Sequence, residues 1–163
     1  MDHALTFITS KLEQHDISYC LCSGTLLGYV RDGRIIPTDK DIDLYIHRKD
    51  AGRCVRMLRG YPIYFAFITD EFATCVTHGA AIDLFYYDVS GSDVLDLAFG
   101  FTFPASWILP IQKTPTIPFY APVDPIPYLT LIYGPRWQTP MTEEEYTYTV
   151  RDKQYIVTYT DPL

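Results

Sequence analysis

Two aspartates at a spacing of two, Asp41 and Asp43, stand in an otherwise apolar stretch that runs to Ile46. Residues i and i+2 of a β-strand point to the same face, so these carboxylates should lie side by side. Each would then raise the pKa of the other unless a cation lies between them. Carboxylate oxygens suit Mg²⁺, which also accepts phosphate oxygens as ligands. The pair therefore predicts a site where Mg²⁺ or Mn²⁺ acts on a phosphate compound.

A third carboxylate, Asp83, interrupts the apolar, strand-like residues 80–86. A charge at the centre of such a run needs a partner. Taken alone, the pair Asp41 and Asp43 is compatible with an exposed strand end, and Asp83 with a satisfied core acid. Together with the turn described next, the three favour a catalytic and metal-binding set. We expect Asp39, which precedes them, to brace its loop rather than to contact the metal.

The turn Ser23-Gly24-Thr25 joins a strand-like segment, residues 18–22, to a helix-like segment that Gly33 should end. The amide groups at a helix N-terminus form a ready binding site for phosphate. Gly24 would let a phosphate approach the backbone, and the hydroxyl of Ser23 or Thr25 could donate to it. We therefore predict that Ser23, Gly24 and Thr25 bind substrate, one helix and one loop ahead of the aspartates.

Residues 24–46, GTLLGYVRDGRIIPTDKDIDLYI, resemble the signature of the LicD/fukutin phosphotransferase family, which has the nucleotidyltransferase fold. In that signature a Gly-Thr-Leu-Leu-Gly-x-x-Arg helix leads into the segment Phe-Ile-Pro-Trp-Asp-x-Asp-Ile-Asp. Asp39, Asp41 and Asp43 fall on its three acidic positions. A third acid on a neighbouring strand, the place that Asp83 takes here, belongs to the same fold.

The rest of the likeness is looser and has two departures. Thr38 stands where the family has tryptophan, and Lys40 where it has an acidic residue or histidine. Towards the C-terminus, the proline turn near Lys113 and the segment YGPRW at residues 133–137 resemble the closing part of the family's domain. The resemblance spans roughly residues 15–140.

The resemblance implies a metal-dependent phosphotransferase that uses a CDP-activated donor, such as CDP-choline or a CDP-polyol. Its phospho-substituent, phosphocholine or a polyol phosphate, would pass to a hydroxyl group of a sugar or glycan acceptor. The place of Arg31 in the family motif implies a substrate or structural contact near the acids, and the alternative is that it complements the C-terminus of its helix. Lys113 is by default a surface lysine, and the alternative is that it reaches the donor phosphate. Both are counted among the candidate substrate-binding residues.

Two other functions remain compatible with the same residues. A nucleotidyltransferase would attach NMP from an NTP to a small molecule or protein, and the same metal set would serve it. An inactive nucleotide- or sugar-binding module would need no acids, and the intact set of three argues against it. The released product, CMP from a CDP donor or pyrophosphate from an NTP, separates the first two.

Size and composition limit the function further. The 163 residues predict a single domain, residues 1–163, and 48% hydrophobic content predicts a packed core. A net charge of −7 argues against nucleic acid as a partner. There is neither a secretory leader pattern nor an apolar run of membrane-spanning length, so we expect a cytoplasmic protein, monomeric by default. The expected reduced core cysteines are Cys20, Cys22, Cys54 and Cys75.

The order of elements predicts a mixed α/β (α+β) fold: a small nucleotidyltransferase-like mixed sheet with helices packed on it. Periodicity predicts helices over residues 2–14 and 48–59 and a hairpin over residues 63–77. From residue 101 onwards, prolines predict an extended segment that wraps the sheet. The Tyr- and Thr-rich tail, residues 142–160, is compatible with either helix or strand.

Overall fold

The elements follow one another in the order that the sequence predicts. In the computed structural model, the description covers residues 1–141 and the backbone of residues 146–151 and 154–159. The helices of this part are α1 (Asp2–Gln14), α2 (Ser23–Asp32), α3 (Arg48–Leu58) and α4 (Ile126–Tyr133). Its strands are β1 (Tyr19–Leu21), β2 (Asp41–His47), β3 (Tyr64–Ile68), β4 (Phe72–Thr77), β5 (Ala80–Ser90), β6 (Asp93–Asp96), β7 (Thr102–Pro104), β8 (Ile111–Gln112), β9 (Ala121–Pro122), β10 (Tyr146–Arg151) and β11 (Gln154–Tyr159).

Strands β1 to β7 form one mixed sheet, and its main part has the order β1-β2-β5-β4-β3. β2 and β5 run parallel, with Asp43 opposite Asp83, whereas the other pairs of this sheet are antiparallel. β6 pairs with the second half of β5, beyond the end of β4, and β7 pairs with β6. The predicted mixed sheet with helices is confirmed.

The two faces of the sheet differ because alternate residues of a strand point in opposite directions. Along β5, Ile82, Leu84 and Tyr86 are buried, and α3 packs against β5 and β2. The residues between them, among which are Asp83 and Phe85, are only partly buried and point to the other face. β4 alternates in the same way. The sheet therefore gives one face to the core and the other to the carboxylates.

The helices and the hairpin form where periodicity predicts them, to within one residue at most ends. α1 buries Leu5, Ile8 and Leu12 on one face. α2 starts directly after β1 and ends at Gly33, whose φ of 70° lies in the left-handed region that glycine adopts readily.

The segment that follows β6 has the extended character that its prolines predict. β7 leads into a short 3₁₀ turn at Ala105–Trp107, and the two-residue strands β8 and β9 pair with each other. The amide of Leu21 in β1 donates to the carbonyl of Tyr120 at 2.8 Å, which fastens this segment to the sheet. α4 follows and buries Tyr128 and Leu129.

The remaining predictions about the chain are met in part. All four cysteines are buried and free, as expected for reduced core residues. In the tail, where the sequence leaves helix and strand open, β10 and β11 form an antiparallel pair. Within the described residues, no helix combines the length and the apolar character needed to cross a membrane.

A pair of glycine substitutions tests the packing of α2. Alanine at a helix interior normally stabilises by about 0.5–1 kcal/mol relative to glycine. A Cβ at Gly28 would lie 2.6 Å from the backbone oxygen of Arg34, so Gly28→Ala should lower the free energy of unfolding by about 1–3 kcal/mol. In α3, a Cβ at Gly52 meets only the Arg56 guanidinium at 3.4 Å, so Gly52→Ala should be neutral or stabilising. Urea denaturation measures both; equal effects would contradict the tight contact between α2 and the following loop.

Candidate active site

Asp43 is the central carboxylate of the site and is almost completely buried. Its Oδ2 accepts hydrogen bonds from the amides of Gly24 at 2.9 Å and Thr25 at 3.3 Å, in the first turn of α2. In return, the amide of Asp43 donates to the Thr25 hydroxyl at 2.9 Å. These contacts place a carboxylate of the protein at a helix N-terminus, where the partial positive charge stabilises an anion.

The backbone before α2 is shaped for this contact. Ser23 has a φ of 43°, which is uncommon for a residue other than glycine and marks a sharp turn between β1 and α2. A Cβ at Gly24 would lie 2.6 Å from Oδ2 of Asp39 and 3.3 Å from Oδ2 of Asp43. Because Gly24 has no side chain, these two carboxylates can lie close to its backbone. Gly24 was expected to admit a phosphate, but the structure shows that its amide donates to Asp43.

Asp39, Asp41 and Asp43 form a three-carboxylate cluster. One carboxylate oxygen from each lies within 4.8 Å of the other two, close enough for all three to bind a single metal ion. Asp39 was expected only to brace its loop. Its Oδ1 does accept from the Lys40 amide at 3.1 Å, but the side chain also belongs to the cluster. Asp39 therefore both braces its loop and contributes an oxygen to the cluster.

Asp83 lies beside the cluster on β5, in register with Asp43 on the parallel strand β2. Its Oδ1 accepts a hydrogen bond of 2.5 Å from the Thr74 hydroxyl on β4. Among the described residues, the trio that meets within 4.8 Å is formed by Asp39, Asp41 and Asp43, so Asp83 stands next to it rather than in it. No sequence motif singles out Thr74, which comes next to Asp83 through the pairing of β4 with β5.

Burial and mutual repulsion dominate the electrostatics of these acids. Burial, followed by the charges of Asp41 and Asp39, raises the pKa of Asp43 well above its usual range. Burial also raises the pKa of Asp83, with a further increase from Asp41, while the hydrogen bond from Thr74 lowers it. Among the described residues, no lysine or arginine lines the cleft that holds these acids. Such a donor set suits a hard divalent cation.

The acids line an open cleft of about 380 Å³. Aromatic residues line it as well, and Phe85 and Phe99 approach each other with ring centroids 5.4 Å apart. The cleft is lined by Ser23, Gly24, Asp39, Asp41, Asp43, Tyr45, Asp83, Phe85, Phe99, Phe101, Tyr128, Ile132 and Tyr133. A cleft lined by both carboxylates and aromatic rings can hold a metal with its phosphate ligands together with a planar group.

The family model described as "LicD/FKTN/FKRP, nucleotidyltransferase domain" matches residues 16–124, about two thirds of the chain. The chain belongs to this family. It is 44% identical to ribitol 5-phosphate transferase FKRP of mouse and of human over 54 residues, which are 33% of this chain and 11% of those proteins. It is 43% identical to lipopolysaccharide cholinephosphotransferase LicD of Haemophilus influenzae over 51 residues, 31% of this chain and 19% of that protein. The aligned stretches thus span less than a fifth of these relatives.

Solved structures show the same fold at low sequence identity. ANT(2")-Ia, in complex with adenylyl-2"-tobramycin, superposes with a TM-score of 0.57 at 12% identity, over 74% of this chain and 67% of that chain. The lincosamide antibiotic adenylyltransferase LnuA, bound to lincomycin, gives a TM-score of 0.50 at 9% identity, over 98% and 80%. This LicD-family chain therefore has the predicted nucleotidyltransferase fold.

Three residues expected to bind substrate have other partners in the structure. Thr25 is fully buried, and its hydroxyl accepts from the Asp43 amide. The Arg31 guanidinium forms a two-pronged ion pair with Asp32. Lys113 lies 2.7 Å from a Glu13 carboxylate oxygen. None of the three lines the cleft, so their positions do not support these predictions, whereas Ser23 and Gly24 do line it.

A buried hydrogen-bond chain supports the floor of the cleft. The Ser23 amide donates to the Tyr128 hydroxyl at 3.3 Å, and the latter donates to the Tyr45 hydroxyl at 3.3 Å. The Tyr45 hydroxyl donates to Asp96, a fully buried carboxylate that also accepts from the Phe99 amide at 3.0 Å. Only Tyr45 carries a sequence signal for this role, because it lies two residues beyond Asp43 on the same strand face.

Replacing Tyr45 with phenylalanine tests this chain of hydrogen bonds. Burial raises the pKa of Asp96, and the hydrogen bond from Tyr45 opposes that increase by favouring the charged carboxylate. Tyr45→Phe should therefore lower the free energy of unfolding by about 1–3 kcal/mol at neutral pH. The hydroxyl stabilises mainly the charged form of Asp96, so the loss should shrink as pH falls through the raised pKa of Asp96. Chemical denaturation of both proteins across this pH range measures it; a loss that does not change with pH would contradict the role of Asp96.

Proposed function

We propose that this chain is a metal-dependent phosphotransferase, which moves a phospho-substituent from a CDP-activated donor to a hydroxyl group of a sugar or glycan. The observation that carries the proposal is the convergence of Asp39, Asp41, Asp43 and Asp83 in one open cleft of a LicD-family chain. The named activities of FKRP and LicD, transfer of ribitol 5-phosphate and of phosphocholine, are consistent with this reaction class.

The metal-binding residues of the proposal are Asp39, Asp41 and Asp43, which would hold Mg²⁺ or Mn²⁺. Their carboxylate oxygens converge within 4.8 Å, and the amides of Gly24 and Thr25 fix the orientation of Asp43. When bound, the ion would neutralise negative charge on the donor pyrophosphate. Asp83, which is also predicted as a metal ligand, stands beside this trio, and the proposal gives it the part of the base.

Asp83 is the proposed base for the acceptor hydroxyl. Thr74 donates to its Oδ1, which leaves Oδ2 to accept the proton of the sugar hydroxyl. The sugar oxygen then forms a bond to the phosphorus that carries the head group. The bond from this phosphorus to the bridging oxygen breaks, and the oxygen leaves with the electron pair as part of CMP. The nearby Phe85 and Phe99 rings offer a surface on which the cytosine can stack.

The rival with specific support is a nucleotidyltransferase. One structural neighbour is an adenylyltransferase, and another is bound to an adenylylated antibiotic. Both resemblances concern the fold, whereas the family assignment rests on the sequence. The two activities release different products, so purified protein should be offered CDP-choline, CDP-ribitol and the four NTPs with Mn²⁺. We expect CMP from a CDP donor; pyrophosphate from an NTP, without CMP, would favour the rival.

Two amide variants test the catalytic acids. Asp43→Asn keeps a carbonyl oxygen for the amides of Gly24 and Thr25, and Asp83→Asn keeps one for Thr74, so both should fold. Each should lower the rate of CMP release at least about a hundredfold, because an amide supplies neither the charge nor the proton acceptor. Asp70→Asn, at the exposed turn of the β3–β4 hairpin, is the matched control and should retain full activity. Circular dichroism confirms folding; substantial turnover by either variant would remove that residue from the mechanism.

Thermal melts test the metal independently of activity. A ligand that binds only the folded state stabilises it by about 2.7 kcal/mol at a hundredfold excess over Kd. The melting temperature of the parent should rise slightly with Mn²⁺ and further with Mn²⁺ plus CDP. Since the charge of Asp41 raises the pKa of both Asp43 and Asp83, Asp41→Asn should melt at or above the parent in EDTA and respond little to either addition.

The control for these melts is again Asp70→Asn, which removes one negative charge outside the cleft and should respond to Mn²⁺ and CDP as the parent does. Two results would contradict a metal–nucleotide site at the cluster. One is a parent protein that ignores both additions, and the other is an Asp41→Asn variant that shifts as far as the parent.

A further inference from the structure

The face of the sheet that carries the acids continues past the cleft onto β4 and β3. Residues directly opposite each other on paired strands point to the same face. Asp43 pairs with Asp83, Asp83 with Thr74, and Thr74 with Phe67. These residues form one row across four strands, and Phe67 stands at its outer end.

A second row runs beside the first. Asp41 pairs with Ala81, Ala81 with Val76, and Val76 with Tyr64. Tyr64 and Phe67 are three residues apart, so in a regular strand they would point to opposite faces. The β-bulge between residues 65 and 67 corrects the alternation and brings Phe67 to the same face as Tyr64.

The outer ends of the two rows form an exposed apolar surface, here called the aromatic shelf, made of Tyr64, Phe67 and Val76. Their exposed fractions are 72%, 64% and 39%. Neither β3, with the sequence YFAFI, nor β4, with FATCVT, contains a charged residue. Contiguous exposed apolar side chains of this kind mark binding surfaces. Unlike the cleft, the shelf contains no acidic residue. Thr74 and Ala81 lie between the shelf and the acids of the cleft.

We propose that the aromatic shelf binds the sugar rings of an oligosaccharide acceptor, a step that rests on the proposed function. The C–H groups on one face of a pyranose carry partial positive charge and pack against the negative face of an aromatic ring. Two strand spacings of about 4.8 Å place Phe67 roughly 10 Å from Asp83 across the sheet. A chain of sugars can therefore lie on the shelf while its terminal hydroxyl reaches Asp83.

The small area of the shelf and the net charge of the chain disfavour a second copy of the chain as the occupant. An aromatic side chain presents about 150–250 Å², so the shelf offers roughly 400 Å², about half of what each partner contributes to a standard interface. Two copies, each with a net charge of −7, also repel each other. A neutral saccharide meets neither obstacle.

Saturation-transfer NMR with maltotriose, cellotriose and β-1,4-galactotriose tests the shelf without reference to catalysis. The parent should show transfer to at least one trisaccharide. Phe67→Ser and Tyr64→Ser should each weaken that binding about tenfold, and Phe67→Tyr should retain it because the ring is preserved. Val123→Ser removes another exposed apolar side chain, 49% exposed and outside the shelf and the cleft lining, and should have no effect.

Two results would overturn the proposal. One is the absence of binding by the parent or equal binding by the parent and Phe67→Ser. The other is a parent that sediments as a dimer and becomes monomeric on Phe67→Ser, which would assign the shelf to a second copy. The phosphotransfer needs an acceptor for the phospho-substituent, so CMP release from a CDP donor with water or a trisaccharide as the acceptor tests the proposed function separately. If the parent releases no CMP with either acceptor but binds a trisaccharide through the shelf, the phosphotransferase assignment fails and the sugar site stands.

Discussion

The contact between the Asp43 carboxylate and the first turn of α2 is the constraint on which the rest of the site depends. Gly24 and Thr25 donate their amides to the carboxylate, and the Thr25 hydroxyl accepts the Asp43 amide. The carboxylate thus accepts from amides in the first turn of the helix that have no partner within the helix, and these amides hold the carboxylate in one orientation. Asp39 also lies against Gly24, so the first turn of α2 is close to two of the three carboxylates of the cluster.

The parts of the site that follow from strand periodicity could be predicted from the sequence. A spacing of two puts Asp41 and Asp43 on one face of β2, and the apolar run around Asp83 indicates a buried neighbouring strand. The helix between residues 23 and 32 and its end at Gly33 follow from local turn chemistry. These features need only information within about ten residues of each position.

The remaining parts depend on contacts between distant positions, which local patterns do not encode. Thr25 is predicted to bind substrate because it lies at a helix N-terminus, but its hydroxyl accepts from an amide 18 residues away. Lys113 is a long, flexible side chain whose partner, Glu13, lies on the first helix. Asp96 carries no motif, and only the folded sheet brings it to Tyr45, which is 51 residues distant in the chain.

The bulge in β3 has a consequence for solubility as well as for shape. β3 is an outer strand of the sheet and contains no charged residue, so it lacks the side chains that usually prevent two sheet edges from pairing. A bulge interrupts the regular ladder that an added strand would need. Ala66 is the extra residue of the bulge, so its deletion would restore a regular ladder, with Phe67 two residues from Tyr64 and still on the same face. The edge would then present an unbroken, uncharged strand to a second sheet, and the bulge therefore acts against edge-to-edge pairing.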